Sequence, residues 1–438
     1  MPKSRLPGTL RVLLTASFVS SIGGGLTLPF LVIYLHQVRH ISLGISGLLI
    51  GGVAVLALPV AASTGALVDR LGARAVLLIV LFFEGLGIAS LATVHSALTA
   101  MPAMFLYGLG QGAAWPTWNA LLGVMSEGDA TSRLAFARNF QLLNLGLGIG
   151  AVIGGLVVHV KEPGTFVAIY LLDGTSNLAV VAALALLPKR AFRSTRAAQG
   201  QAADDGGQSP SDMDPGAVGG YRAVLADKLF RRYAVTMTVL MVAGYAAVNT
   251  GFVGFATSVA KAGPGTIAVS FAANTSFIVI AQPLALRLCG EMRRTTALKV
   301  VAGAFAASWV VLGVGGLMAG SGAARALVIA TPVVFAVGEV LLSPVSGPLV
   351  NDLAPAALRG RYFAASAVCF TVANIVSPAI SGAALGAGFG MGLLAFFVVC
   401  CGAAAVGAHW LGGALTAEQD NARVAGPRPL RAKTSEGP

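Results

Sequence analysis

Glu339 is the one carboxylate in "FAVGEVLLSP" (335–344), a run otherwise apolar or nearly so. A charge at the centre of a membrane helix costs on the order of 2.5–3.5 kcal/mol. Such a group persists only where it faces an aqueous cavity or a partner. A carboxyl that is ionised in one conformation and neutral in another carries a proton, so Glu339 is a candidate for coupling proton flow to a conformational cycle. The competing role is a fixed hydrogen bond or ion pair, with Arg138 as the candidate cation. Asp173 and Glu84, also embedded in apolar sequence, are the next coupling candidates. His36, His40, His95 and His159 are too scattered to hold a metal, and the four cysteines lack metal-ligand spacing. No nucleophile–base set and no phosphate-binding glycine loop is present, so neither catalysis nor direct ATP drive is expected.

These acids need a scaffold that tolerates so much apolar sequence. The chain has 438 residues, 56% hydrophobic and only 11% charged, with a mean hydropathy of +0.81. Soluble domains carry roughly 25% charged residues, so this chain cannot clothe a soluble surface. Apolar windows of about 20 residues, each long enough to cross a ~30 Å hydrocarbon layer, recur throughout. Spans are expected near 9–36, 43–68, 75–95, 100–126, 134–159, 166–188, 230–258, 266–287, 297–319, 326–352, 360–385 and 388–411. The first has no cleavage site after a short apolar core and reads as a retained helix. The expectation is an all-α polytopic membrane protein with twelve helices.

The net charge of +12 raises the question of nucleic acid. Position answers it. With the N-terminus inside, 25 of the 29 lysines and arginines fall on one side, leaving Arg39, Lys161, Lys261 and Arg325 on the other. The positive-inside rule then places both termini in the cytoplasm, and no nucleic-acid partner is needed. Arginine outnumbers lysine 22 to 7, a bias associated with GC-rich bacterial genomes.

The chain divides as 1–188, 189–229, 230–411 and 412–438. The second stretch, containing "AAQGQAADDGGQSPSDMDPG", has the composition of a cytoplasmic linker between two six-helix halves, and the fourth reads as a cytoplasmic tail. The halves repeat at an offset of 228: "YGLGQGAAWP" (107–116) aligns with "FAVGEVLLSP", pairing Gly110 with Gly338, Gln111 with Glu339 and Pro116 with Pro344. Internal repeats mark secondary transporters, with the substrate site between them near the midplane.

The loop after the second span, "GALVDRLGAR" (65–74), matches G-x-L-x-D-R-x-G-x-[RK] at Gly65, Leu67, Asp69, Arg70, Gly72 and Arg74. On this motif the chain resembles the major facilitator superfamily, and more narrowly its twelve-helix drug–proton antiporters. The resemblance implies two pseudo-symmetric halves and a cytoplasmic gate formed by Gly65, Asp69, Arg70, Gly72 and Arg74. "GLGIGAVIGG" (146–155) resembles the antiporters' helix-five motif at Gly146, Gly150, Gly154 and Gly155, with Ala151 in place of its proline. That motif implies a seal between the halves on the outer side. Two departures stand out: Gly108 occupies the position of the family's helix-four arginine, and the first span has no acid. Proton coupling therefore needs another arrangement.

In this family the first, fourth, seventh and tenth helices line the central cavity. Tyr107, Gln111, Trp115 and Trp118 share one helical face, and Phe335, Glu339, Ser343 and Ser346 form the equivalent face of the tenth span. Thr238, Tyr245 and Asn249 lie on the seventh. An aromatic, mostly apolar pocket with scattered polar groups suits amphipathic compounds better than sugars. The expected function is export of an amphipathic small molecule, drug or metabolite, by proton antiport. The expected agent is a monomer in the cell membrane, with the proton gradient as energy source and no cofactor. Uptake or facilitated diffusion of a nutrient, and a non-transporting sensor or scaffold, are the competing functions.

Overall fold

The computed structural model describes residues 8–125, 129–186, 220–355 and 358–420. Most of the expected linker and most of the tail lie outside them. Among the described residues there is no β-strand. The first half contains α1 (Gly8–Val38), α2 (Leu43–Leu71), α3 (Ala73–Ser90), α4 (Ala97–Met125), α5 (Asp129–Val157) and α6 (Pro163–Leu186). The second contains α7 (Lys228–Ser258), α8 (Pro264–Glu291), α9 (Arg294–Leu317), α10 (Gly322–Leu353), α11 (Arg359–Gly386) and α12 (Gly390–Gly412). Eleven of these, within the described residues, are long and apolar enough to cross a membrane. The remaining helix, α4, has 29 residues and packs against α2 and α3. The expected spans match these helices to within a few residues.

Packing follows the two-half division. α1 lies against α5 and α6, and α3 against α4 and α6. In the second half α7 lies against α11 and α12, and α10 against α8 and α9. Two seams join the halves: α2 to α11, and α5 to α8. Both depend on missing side chains. A Cβ on Gly47 would strike the Pro378 carbonyl and Gly382, and one on Gly155 would strike Ala268. Small residues let membrane helices approach backbone to backbone, where packing supplies the attraction.

α1 and α7 are the irregular helices. α1 passes through a 3-10 turn at Leu28–Phe30 and a π turn at Tyr34–Val38. α7 is interrupted at Gly244 and has a π turn at Val248–Phe252. π turns frequently sit at functional sites, and the one in α7 borders the space between the halves, as does the 3-10 turn of α1 through Leu28 and Pro29. α10 carries Pro332, which cannot donate to the Val328 carbonyl. Ser270 of α8 donates there instead at 3.3 Å. A backbone group freed by proline inside a bilayer must find such a partner.

Candidate transport pathway

Two cavities open between the halves. The first, about 280 Å3, is bordered by α1, α5, α7, α8, α9 and α10 and holds Tyr245, Asn249, Asn274, Trp309, Phe335 and Glu339 in its wall. The second, about 320 Å3, is bordered by α1, α2, α4, α7 and α11, with Tyr107, Gln111, Asn249 and Asn374 in its wall. Leu28 and Asn249 border both. Ligand pockets span ~300–1,000 Å3, so the first falls just under that range and the second at its small end. The cavities sit on one side of the seams. On α5 the tightest contact with α8 is at Gly155 and a looser one at Gly148, while the cavity takes Ala151, Leu147 and Asn144; on α2 the contacts with α11 at Gly47 and Gly51 precede the cavity residues Val53, Ala54 and Ala57. The closest approaches of the halves thus lie toward the end away from the chain termini, and the cavities lie on their terminal side.

Glu339 is held in the first cavity. Its Oε2 accepts from Asn274 Nδ2 at 2.6 Å, and the Tyr245 hydroxyl turns to the same carboxylate. Asn274 Nδ2 also donates to the Pro332 carbonyl at 2.9 Å, so one amide ties α8 to both the kink and the acid of α10. Arg138, the cation expected as partner, is exposed on α5, and Glu339 takes its bonds from neutral groups of its own half. Among the described residues the charge therefore has donors and no ion pair. Aromatic rings build the wall beside it. Phe305 and Phe335 stack with centroids 4.0 Å apart, and Tyr245 meets both edge-on at 6.4 and 6.1 Å. Trp309 stands beside Phe335 and donates its indole N–H to the Ala243 carbonyl at 2.7 Å, bracing the break in α7. Edge-to-face contacts such as those of Tyr245 are an arrangement the ring quadrupole favours.

The other two embedded acids share a chamber of about 50 Å3 inside the first half, bordered by α1, α3, α4 and α6. Asp173 is 0% exposed; it accepts from Thr27 Oγ1 at 2.7 Å and Asn177 Nδ2 at 3.1 Å. Ser20 continues the chain by donating to Asn177 Oδ1 at 2.9 Å. Glu84, Tyr107 and Gln111 border the same chamber, and Gln111 Nε2 donates to the Tyr107 hydroxyl at 2.7 Å. Both acids lie on helices outside the four expected to line the central cavity. They point inward because α3 and α6 pack glycine to glycine, Gly85 against Gly174, turning their polar faces toward α1.

Of the residues expected to line the cavity, Tyr107, Gln111, Tyr245, Asn249 and Phe335 do so. Trp118 does not: it is buried in the first-half core, its indole 3.3 Å from Asn139 Oδ1. Thr238 spends its hydroxyl on the Ala234 carbonyl at 2.8 Å and stands away from both cavities. Ser343 is exposed and Ser346 half-buried, both toward the terminal end from Glu339 and outside the cavity walls. The Trp115 side chain lies outside the described residues. Sequence reasoning missed Asn274 and Trp309, having confined the lining to four helices. The available signal was Asn274 itself, an amide isolated within the apolar middle of its span.

The helix-five glycines divide between two tasks. Gly146, Gly150 and Gly154 lie against Ser21, Ile22 and Phe30 of α1 in their own half, and Gly155 alone of the four meets α8 across the seam. Glycines spaced four apart share one face, and that face is committed to α1. The gate residues separate likewise. Gly72 joins α2 to α3 at φ +82°, which L side chains rarely adopt. Arg74 donates to the Leu184 and Ala185 carbonyls at 3.0 and 2.7 Å, capping the end of α6. Arg70 is exposed, and the surroundings of Gly65 and the side chain of Asp69 are not among those described.

Two helical halves meeting on glycine seams, with ligand-sized space between them, define a membrane transporter. The chain belongs to the Major Facilitator Superfamily, which it matches over residues 13–318. It is similar to the multi-drug resistance efflux pump PmrA homolog of Lactococcus lactis, at 30% identity over 148 residues, 33% of this chain and 36% of that one. The PmrA pump of Streptococcus pneumoniae is 30% identical over 155 residues, 35% of this chain and 39% of that one. The chain thus spans little more than a third of the length of these relatives. In fold it resembles a POT family transporter (TM-score 0.70, 16% identity, covering 93% of this chain and 96% of that one). It also resembles the nucleoside transporter NupG (TM-score 0.68, 14% identity, covering 93% and 99%).

Proposed function

We propose that this protein exports amphipathic small molecules across the cell membrane in exchange for protons, with both termini in the cytoplasm and a monomer as the working unit. The observation that carries this reading is Glu339, a carboxylate bonded by neutral groups and without an ion pair among the described residues, set among Phe335, Tyr245 and Trp309 in a cavity between the halves. An apolar, aromatic site with one ionisable group binds a hydrophobic, weakly basic compound by stacking and charge. A proton arriving on Glu339 removes that charge and releases the compound. Substrate and proton then compete for one group, which makes exchange obligatory rather than accidental. The similarity to efflux pumps supports the direction. The side chamber of Asp173 and Glu84 is the second candidate for the coupling site.

Inverted membrane vesicles test it. An imposed pH gradient, acid inside, should drive a lipophilic cationic dye into the lumen, and an uncoupler should release it. Accumulation that ignores both gradient and uncoupler would make the protein a facilitator, the reading that suits a nutrient carrier.

A further inference from the structure

A third space, about 1150 Å3, lies at the terminal end of the second half on its outer flank. It is a groove with α7 and α9 as walls and α12 as floor. α12 is drawn in by glycine: a Cβ on Gly407 would strike Thr236 of α7, and one on Gly412 would strike Thr295 of α9. Five cations border the groove: Lys228, Arg231 and Arg232 from α7, Arg293 at the start of α9, and Lys299 one turn further in. None of the five has an ion-pair partner among the described residues; Arg294, which does, pairs with Asp352 at 2.6 Å. The one carboxylate in the wall, Asp420, is already engaged by the Thr295 amide and hydroxyl, each at 2.9 Å.

Deeper into the membrane the groove turns apolar. Val235, 64% exposed, and Val239 line one side, Ala403 and Gly407 the floor, and Trp410, 68% exposed, stands at the rim. Tryptophan at such a level marks the interface between headgroups and chains. Topology alone explains basic residues at this end of the bundle. It does not explain their convergence on a concavity whose other end is a strip of exposed apolar surface.

We infer that this groove binds an anionic phospholipid, its phosphate among Arg231, Arg293 and Lys299 and an acyl chain along Val235, Val239 and Gly407. The match of cations above to apolar surface below is what such a lipid presents in reverse, and basic pockets between helices at the cytoplasmic face hold such headgroups. A lipid here bridges α7 to α9, two helices joined through α12. The inference is independent of what the protein carries and of how transport is driven.

Each cation near an anionic headgroup contributes roughly fivefold in affinity. The full-length protein in detergent would be titrated with phosphatidylglycerol and, separately, with phosphatidylcholine of the same chains, and bound lipid counted by native mass spectrometry. Replacing Arg231, Arg293 and Lys299 together by Gln should weaken phosphatidylglycerol binding on the order of a hundredfold. Phosphatidylcholine binding should be unchanged, which also reports that the variant is folded. Exchanging the three for the other basic residue (Arg231→Lys, Arg293→Lys, Lys299→Arg) should restore it. Should the triple variant misfold, the single Gln variants, each losing roughly fivefold, serve instead. Equal phosphatidylglycerol binding by the wild type and the Gln variants would overturn the assignment. So would displacement of the lipid by glycerol phosphate at comparable concentration, which would make the groove a site for free anions. The segment 187–219 carries Asp204, Asp205, Asp212 and Asp214. If phosphatidylglycerol binds only after these four are changed to Asn, the groove belongs to that segment and the lipid assignment falls.

Discussion

Replacing Glu339 by Gln removes the proton and leaves nearly everything else. The Gln carbonyl oxygen can occupy the place of Oε2, 2.6 Å from Asn274 Nδ2, and Asn274 keeps its second bond to the Pro332 carbonyl. What is lost is the charge-assisted part of the bonds from Asn274 and Tyr245, about 1 kcal/mol each, and the neutral amide is cheaper to hold in the membrane. The variant should therefore insert, fold and bind substrate. Transport splits differently. Exchange of one cationic compound for one proton moves no net charge, so the drive is the pH difference: each unit supplies about 1.4 kcal/mol, or about tenfold accumulation. Without an ionisable group at position 339 that drive is disconnected, and the attainable gradient should fall toward one. The assay pairs two measurements on the same vesicles: accumulation driven by an imposed pH gradient, and substrate-for-substrate exchange with no gradient. Exchange should survive while accumulation disappears. Glu339→Ala separates a structural role, because it deletes the acceptor and should destabilise the protein by about 1–3 kcal/mol. Undiminished proton-driven accumulation by Glu339→Gln would refute the reasoning and move the coupling site to Asp173 and Glu84.

Gly47→Leu places a side chain against the Pro378 carbonyl and Gly382, so it should prop the α2–α11 seam open. A cysteine probe near the outer end of α2 should become more accessible to a membrane-impermeant thiol reagent, and transport should drop; unchanged labelling would contradict the seam's role as the closure. Asp173→Asn retains an acceptor for either Thr27 or Asn177 and should cost about 1 kcal/mol in thermal unfolding, whereas Asp173→Leu strands both donors and should cost about 2–4 kcal/mol. If Asp173→Asn abolished proton-driven accumulation with its stability intact, the coupling role would pass to the first half. Asp69→Asn should leave insertion intact and slow transport by weakening the gate at the terminal side; wild-type rates would remove Asp69 from the gate.

Membership of a two-half helical bundle was legible in the sequence because it rests on quantities that need no neighbours. Span length follows from the thickness of hydrocarbon, and the repeat at 228 is carried by residue identity. The motif at 65–74 demands a turn that only Gly72 can make without strain. Tyr107, Gln111, Tyr245, Asn249 and Phe335 were legible for a related reason: helical periodicity assigns residues to a face. Periodicity does not say what each face meets. Trp118 shares a face with Gln111 yet ends in the first-half core, because α4 is long enough for its two ends to meet different partners. Glu84 and Asp173 looked peripheral until Gly85 and Gly174 were seen to rotate their helices inward. Asn274 lies 65 residues from Glu339 in sequence, and only the packing of α8 on α10 makes it the partner of that carboxylate. The same holds for the basic groove. In the sequence its cations are scattered near the ends of two spans, and they become one surface because Gly407 and Gly412 let α12 draw α7 and α9 around it. Local chemistry dictated which segments are helices and which residues are costly to bury. The close approach of particular helices, set by side chains that are absent, decided which of those costly residues meet.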